Sequence, residues 1–424
     1  MEKSYEEKIV IVGGGICGLA TALALHRKGV ESIVLEKSEK LRATGACIIM
    51  QPNGWRALNQ LGIASKLRQT ALPIQSGHYI TVKDGKHTDL PVGNGGECRC
   101  LRRSDLMKTL AEELPPNTVR FGCKVVSIKV DANTSAYSIL HLHDGTMLMP
   151  RVYKYFIYML WGRYSICRIS HIKVDACMQV IIGCDGVNSV VASIVGLNSS
   201  RHFSTCAIRG VTHYQTLHPF GTAFYLFDKD GVRLGLLPIN HNDVYWFLTR
   251  KLTSTDSMVS KDQRLIKDST VEAIKGFPNH ITEMINNSDV DSLHLTDQIR
   301  YRAPWDLLRT KFCKGTVTLA GDALHAMAPF LAQGGSASLE DAVVLARCLS
   351  QNMGIALDPT GMKAARAALD QYAKERKMRV FWLSLETFVV GTMHDTSALL
   401  VKIKGKLEVV QDLLIPSHLE VKRV

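Results

Sequence analysis

The polar and apolar positions of this chain change period several times, and each change predicts an element. Lys8-Ile9-Val10-Ile11-Val12 is a nearly continuous β-branched run, suited to a strand buried on both faces. Beyond Gly18 the apolar residues Leu19, Ala22 and Leu23 recur at helical spacing, and the pattern closes near Gly29. Ile33-Val34-Leu35-Glu36 restores the strand pattern, and Gly315-Thr316-Val317-Thr318-Leu319-Ala320 repeats it in the C-terminal half. Between them, Ala223–Phe227, Val232–Leu236 and Val244–Leu248 are apolar runs separated by the polar turns 228–231 and 240–243. That order predicts an antiparallel meander within residues 204–250. Helical patterns return after Lys261, with helices predicted from Ser336 through Cys348 and over about Met362–Leu385.

The joints between these elements carry the chemistry. The first strand leads into Gly13-Gly14-Gly15-Ile16-Cys17-Gly18, a G-x-G-x-x-G, and the second strand ends in Glu36, eighteen residues beyond Gly18. Gly13 permits the tight turn, Gly15 lets a pyrophosphate approach the backbone, and Gly18 lets the helix pack on the strand. The helix N-terminus offers unpaired N–H groups to that pyrophosphate, and Glu36 would accept hydrogen bonds from the adenosine ribose. Strand, helix, second strand and acid in register predict a bound dinucleotide, without separating FAD from NAD. In the C-terminal half, Gly321-Asp322-Ala323-Leu324-His325-Ala326-Met327-Ala328-Pro329 follows a strand, and Gln333-Gly334-Gly335 precedes a helix. Gly-Asp after a strand puts a carboxylate at the carboxyl end of a sheet, where ligands collect. Two glycines before a helix admit a flat ring and aim the helix N-terminus at it.

Taken with Gly183-Cys184-Asp185-Gly186-Val187-Asn188-Ser189 and Arg99-x-x-x-Arg103-x-x-Leu106, these motifs resemble the FAD-dependent aromatic-hydroxylase family. The likeness is to flavoprotein monooxygenases of the para-hydroxybenzoate and salicylate hydroxylase type, in the plant branch related to zeaxanthin epoxidase, over about residues 8–400. It implies an α/β fold: a Rossmann-like FAD-binding domain of the para-hydroxybenzoate hydroxylase type with an inserted antiparallel-sheet substrate domain. The expected FAD-binding parts are 1–75, 99–199 and 297–350, the substrate-domain parts 76–98 and 200–296, and the C-terminal helices 351–424. The resemblance assigns Arg103 to the FAD ribityl or phosphate region and Asp185 to holding FAD and NAD(P)H. It assigns Asp322 to the ribityl hydroxyls and the Gly334–Gly335 backbone to the flavin pyrimidine edge. It also implies NAD(P)H as a transient co-substrate, consistent with the lack of a second G-x-G-x-x-G. One oxygen atom from O2 would pass through a flavin C4a-hydroperoxide to a small aromatic or isoprenoid substrate. No catalytic base is named. Open alternatives are a related flavoprotein that inserts no oxygen and a catalytically silent binding protein. A plain NAD-dependent dehydrogenase leaves the Gly321-Asp322 and Gln333-Gly334-Gly335 pair unexplained.

Composition narrows the remainder. The 424 residues, 46% hydrophobic and 21% charged, exclude a mainly disordered or collagen-like chain. The net charge of +12 is spread out. Its densest run, Lys374-Glu375-Arg376-Lys377-Met378-Arg379, reads as a solvated helix face, and with no RNA-binding or zinc-finger signature nucleic acid is set aside. Eleven cysteines without framework spacing read as reduced thiols. His141-x-His143 reads as strand rather than metal site, so no metal is expected. A first strand beginning so early leaves no room for a signal or transit peptide, and the apolar stretches are too short to span a bilayer. A soluble cytoplasmic protein is expected, of undefined oligomeric state.

Two departures stand out. Members of the resembled family pass from a D-G-T turn to the strand before D-G in a handful of residues. Here Met147–Gln179 separates Asp144-Gly145-Thr146 from Val180, and Ile172-Lys173-Val174-Asp175-Ala176 repeats Ile128-Lys129-Val130-Asp131-Ala132. This segment reads as a retained non-coding or duplicated insertion, looped out at a sheet edge. Its Arg151, Lys154, Arg163, Arg168 and Lys173 against Asp175 supply +4 of the net charge. Second, Ala332 replaces the first glycine of a G-Q-G-G. If the backbone there has φ > 0, Ala costs about 1 kcal/mol.

Overall fold

Ile9–Val12 is buried throughout, and it can be because both of its edges are paired. In the computed structural model, which describes residues 9–41, 47–130, 138–148, 172–173, 180–353 and 362–395, this strand runs parallel to Ser32–Leu35 on one side and Val180–Gly183 on the other. Val317–Leu319 and Val119–Arg120 extend the parallel sheet, and Cys313–Lys314 closes one edge antiparallel. The uninterrupted apolar runs of the sequence are thus the inner strands of a sheet covered on both faces. On one face the helices Ile16–His26 and Gly334–Met353 pack together through Leu19, Leu23, Leu345 and Leu349. On the other face lies a small sheet in the order Ile172–Lys173, Met147–Leu148, Ser138–Leu142, Val125–Val130, whose Leu140, Leu142 and Leu148 meet Val10 and Val12.

The two Ile-Lys copies of the repeated pentapeptide stand at opposite edges of this small sheet, Ile128-Lys129 at one and Ile172-Lys173 at the other. The remainder of the extra segment, residues 149–171 and 174–179, lies outside the described residues.

The predicted meander is present and larger than expected. Seven strands run in the order His294–Thr296, Thr205–His213, Asp243–Lys251, Val232–Pro238, Ala223–Lys229, Ser76–Thr81, His87–Leu90. The sheet is antiparallel except at one pair, where Ser76–Thr81 joins Ala223–Lys229 in parallel. These strands are 147 residues apart in register (Ser76 opposite Ala223), so no hairpin dictates their direction. The helices Gln263–Ala273 and Asn279–Asn286 cover one face of the sheet through Ile266, Ile281 and Ile285. Its other face meets the two-stranded ladder Cys47–Met50/Arg99–Arg102.

The run 374–379 also departs from its reading. It lies on the helix Met362–Asp395, but Arg376 is buried at 3% exposure rather than solvated. Spacing along one helix does not reveal that a neighbouring helix brings carboxylates to it.

Candidate active site

The C-terminal ends of the parallel strands gather three distant motifs. Gly13 turns the chain at φ +104° and donates its N–H to Leu35 O at 2.8 Å. A Cβ on Gly13 would lie 2.5 Å from Cys184 O, so the first turn abuts the Cys184-Asp185 turn directly. A Cβ on Gly18 would lie 1.9 Å from Gly13 O, so only glycine lets the helix approach this closely. Gly15 differs: it has ordinary φ and, among the described residues, no atom within 4 Å of its would-be Cβ. That space opens over the N-terminus of Ile16–His26, which has neither a side-chain cap nor an acidic residue in its first turn. Uncapped N–H groups and the positive end of the helix dipole make this an anion site. Glu36 is buried beside it; Oε2 accepts from Gly14 N at 2.7 Å and Oε1 from Ser38 N at 2.9 Å.

The second motif faces the first. Gly321, at φ +62°, packs on Cys17 of the first helix and starts the short helix Asp322–His325. Asp322 is solvent-exposed, yet enclosing protein pushes its carboxyl pKa up, an effect only partly offset by His325, Arg103 and Arg302. Exposure together with desolvation describes the wall of a cleft. A Cβ on Gly334 would lie 3.9 Å from Asp322 Oδ1, and one on Gly335 would lie 2.3 Å from Ile48 Cδ1. Asp322, Gly334 and Gly335 therefore line one place, with Arg103 near enough to act on the Asp322 charge. The helix starts at Gly334, two residues before the predicted Ser336, so both glycines lie in its first turn. Ser336 instead accepts Gln51 N at 3.1 Å, and Asn53 Nδ2 donates to Gln333 Oε1 at 3.2 Å; both fix this loop to the residues after Met50.

Asp185 completes the set. Burial raises its pKa against the hydrogen bonds of Ser189 and Val190; Val190 N reaches Oδ2 at 2.7 Å. Its Oδ1 is buried without a hydrogen-bond partner among the described residues, an acceptor in need of a donor. Arg302, which the sequence did not single out, is buried within electrostatic reach of both acids. Burial opposes its charge, and Asp185, Asp306 and Asp322 favour it. No motif surrounds Arg302, so no sequence signal marked it.

Beneath the Gly321 turn lies a buried ion network. Asp341 Oδ2 accepts from Gly321 N at 2.8 Å and meets His325 Nε2 at 2.5 Å, while Oδ1 accepts from Arg376 Nε at 2.7 Å. Arg376 also donates to Glu340 Oε2 at 2.6 Å. Burial alone would raise the Asp341 pKa; His325, Arg376 and the Gly321 amide overcome it and hold the group down at about 2. His325 is thus a structural histidine that helps fix the turn carrying Asp322.

Across the Cys47–Met50 ladder, the side of the large sheet that meets it carries Phe224, Tyr245 and Phe247, with Phe224 and Phe247 stacked at 6.5 Å. Gly235 sits opposite Phe247, whose ring occupies the space of the missing Cβ. Arg209, cross-strand from Phe247, donates to Thr296 Oγ1 at 2.8 Å. Among the described residues its buried Nε has no hydrogen-bond partner and Arg209 forms no ion pair.

These features fit FAD on the structure's own terms: an open cradle at Gly15 on an uncapped helix, an unpartnered Asp185 oxygen, and an exposed Asp322 on a cleft wall. The chain matches the FAD binding domain family over residues 6–149 and 175–383, a match that passes over 150–174 within the extra segment. It is 39% identical to Monooxygenase 1 of Arabidopsis thaliana over 399 residues, covering 93% of this chain and 92% of that protein. With Monooxygenase 2 of the same plant it is 36% identical over 407 residues, 93% and 92% covered. Among solved structures, Klebsiella pneumoniae HpxO complexed with FAD and uric acid superposes with a TM-score of 0.75 at 20% identity, covering 98% of this chain and 97% of that one. The protein is an FAD-dependent oxidoreductase of the monooxygenase class. It belongs to the FAD binding domain family. None of its described helices is long and apolar enough to cross a membrane.

Proposed function

We propose that the protein uses NAD(P)H and O2 to insert one oxygen atom into a small aromatic substrate bearing an anionic group. The observation that carries this is Arg209: a cation on an aromatic sheet face, with a buried Nε that lacks a hydrogen-bond partner among the described residues. A carboxylate or phenolate beside Phe247 would satisfy that donor while its ring packs on Phe224 and Phe247.

When bound, FAD supplies the acceptance of hydride from NAD(P)H and the activation of O2. The protein's part is binding and electrostatics. Gly15 and the helix Ile16–His26 would take the pyrophosphate, and Glu36 the adenosine ribose. Asp322 would accept from the ribityl hydroxyls, with Arg103 beside it, and Asp185 Oδ1 would accept a further hydrogen bond. The first-turn N–H groups at Gly334 and Gly335 would hold negative charge that accumulates on the cofactor. The ladder Cys47–Met50 and the sheet above it would exclude water from the reacting centre.

The test is NAD(P)H consumption and product formation across a panel of hydroxybenzoates, phenols and neutral isoprenoids. Aromatic acids are expected as coupled substrates. Arg209→Gln should raise their KM about 10–100-fold, the worth of a lost charge-assisted hydrogen bond, with a smaller effect on kcat. Turnover of a neutral isoprenoid, unaffected by Arg209→Gln, would overturn the anionic-substrate reading.

A further inference from the structure

On the far side of the large sheet from Phe224 and Phe247, its edge hairpin gathers three metal-ligating groups that the flavin chemistry does not use. Ser76–Thr81 and His87–Leu90 pair so that His78 lies directly opposite Asp89, and His87 precedes Asp89 by two residues. Two-residue periodicity puts His87 and Asp89 on the same sheet face, so all three side chains converge. His87 Nε2 lies 3.0 Å from His78 Nδ1, His78 Nδ1 lies 3.3 Å from Asp89 Oδ1, and His87 Nε2 lies 3.9 Å from Asp89 Oδ1.

These distances have a chemical meaning. Imidazole and carboxylate bonds to Zn2+ of about 2.0–2.2 Å, arranged tetrahedrally, place neighbouring donor atoms about 3.3–3.6 Å apart. The observed triangle brackets that spacing, so an ion needs little rearrangement of the hairpin. His78 is already oriented for the task. Its Nε2 lies 3.3 Å from Ser76 Oγ, which can accept that ring proton and leave the Nδ1 lone pair for metal. Its ring also rests against Tyr225 at 5.1 Å, and its side chain is 22% exposed, against 53% for His87 and 87% for Asp89. One anchored ligand and two more open ones leave a fourth position for water.

We propose that His78, His87 and Asp89 form a Zn2+ site that staples the edge hairpin of the substrate-binding sheet. Two imidazoles and one carboxylate select zinc over Ca2+ and Mg2+, which prefer all-oxygen shells. The pattern escapes a sequence reading because its H-x-D half lies on one strand and its third ligand nine residues upstream on another.

The experiment is calorimetric titration of the untagged, FAD-loaded protein with Zn2+, together with visible spectroscopy after Co2+ addition. One equivalent of Zn2+ should bind, Co2+ should give the intense bands of tetrahedral coordination, and excess Ca2+ or Mg2+ should not compete. His87→Ala should weaken Zn2+ at least about tenfold, and Ser76→Ala should weaken it less while keeping one site. Both changes lie at a partly exposed sheet edge, and an unaltered flavin spectrum would show that each variant remains folded. Failure to bind Zn2+, or binding that is unchanged in His78→Ala/His87→Ala, would overturn the proposal.

Discussion

Gly15 and Gly18 are identical residues three positions apart with opposite physical roles, and substitution separates them. A Cβ on Gly18 collides with Gly13 O, so Gly18→Ala should destabilise the whole domain by about 1–3 kcal/mol or more, read as a lowered denaturation midpoint. A Cβ on Gly15 meets none of the described residues within 4 Å, so Gly15→Ala should leave the stability of the apoprotein unchanged while filling the space proposed for the pyrophosphate. A loss of FAD affinity of at least about tenfold, ~1.4 kcal/mol, is expected by flavin fluorescence titration. Ala332 makes the complementary case. Its φ of +52° is the left-handed conformation that the sequence departure raised, so Ala332→Gly should stabilise the protein by up to about 1 kcal/mol in urea denaturation. The conformational question was legible because a glycine-rich motif lacked one glycine. The role of Arg376 was not, because its partner Asp341 lies 35 residues away on another helix.

At the scale of elements, the Gly321 turn depends on Asp341 reaching it from the helix Gly334–Met353. A carboxylate held at about 2 in the fold, against 3.8 ordinarily, stabilises the protein above the unfolded pKa and loses that contribution as pH falls through about 2. The amount is about 2 kcal/mol. Stability measured between about pH 5 and 2 should therefore fall more steeply in the wild type than in Asp341→Asn. That variant should also be less stable by about 3–5 kcal/mol at neutral pH, because Arg376 loses one of its buried partners. The strands and helices themselves were largely readable from apolar period, since buried parallel strands and amphipathic helices write different patterns. The parallel entry of Ser76–Thr81 and the pairing of Thr205–His213 with the edge strand His294–Thr296 were not. Long-range pairing leaves no local mark.

At the scale of the molecule, a nucleotide-binding α/β unit and a large sheet meet across the Cys47–Met50 ladder, with the candidate flavin cleft on one side and the aromatic face on the other. The motifs revealed the first half because each one sits at a strand end or a helix start with fixed spacing. The aromatic face and Arg209 emerge only when the sheet register is known. The extra segment bears on the whole fold as well. Removing 150–174, which the family match passes over, takes from the small sheet only its two-residue edge strand Ile172–Lys173 and leaves residue 149 and residues 175–179 to join the remaining strands to Val180. The shortened chain is expected to fold with an unchanged thermal midpoint and to bind FAD. Flavin binding and turnover are read together in the visible spectrum of the purified full-length protein with FAD, recorded before NAD(P)H addition, after it, and again in air. A bound-flavin spectrum that bleaches and then returns is expected. A folded protein that stays colourless with added FAD would overturn the assignment of the cleft to FAD.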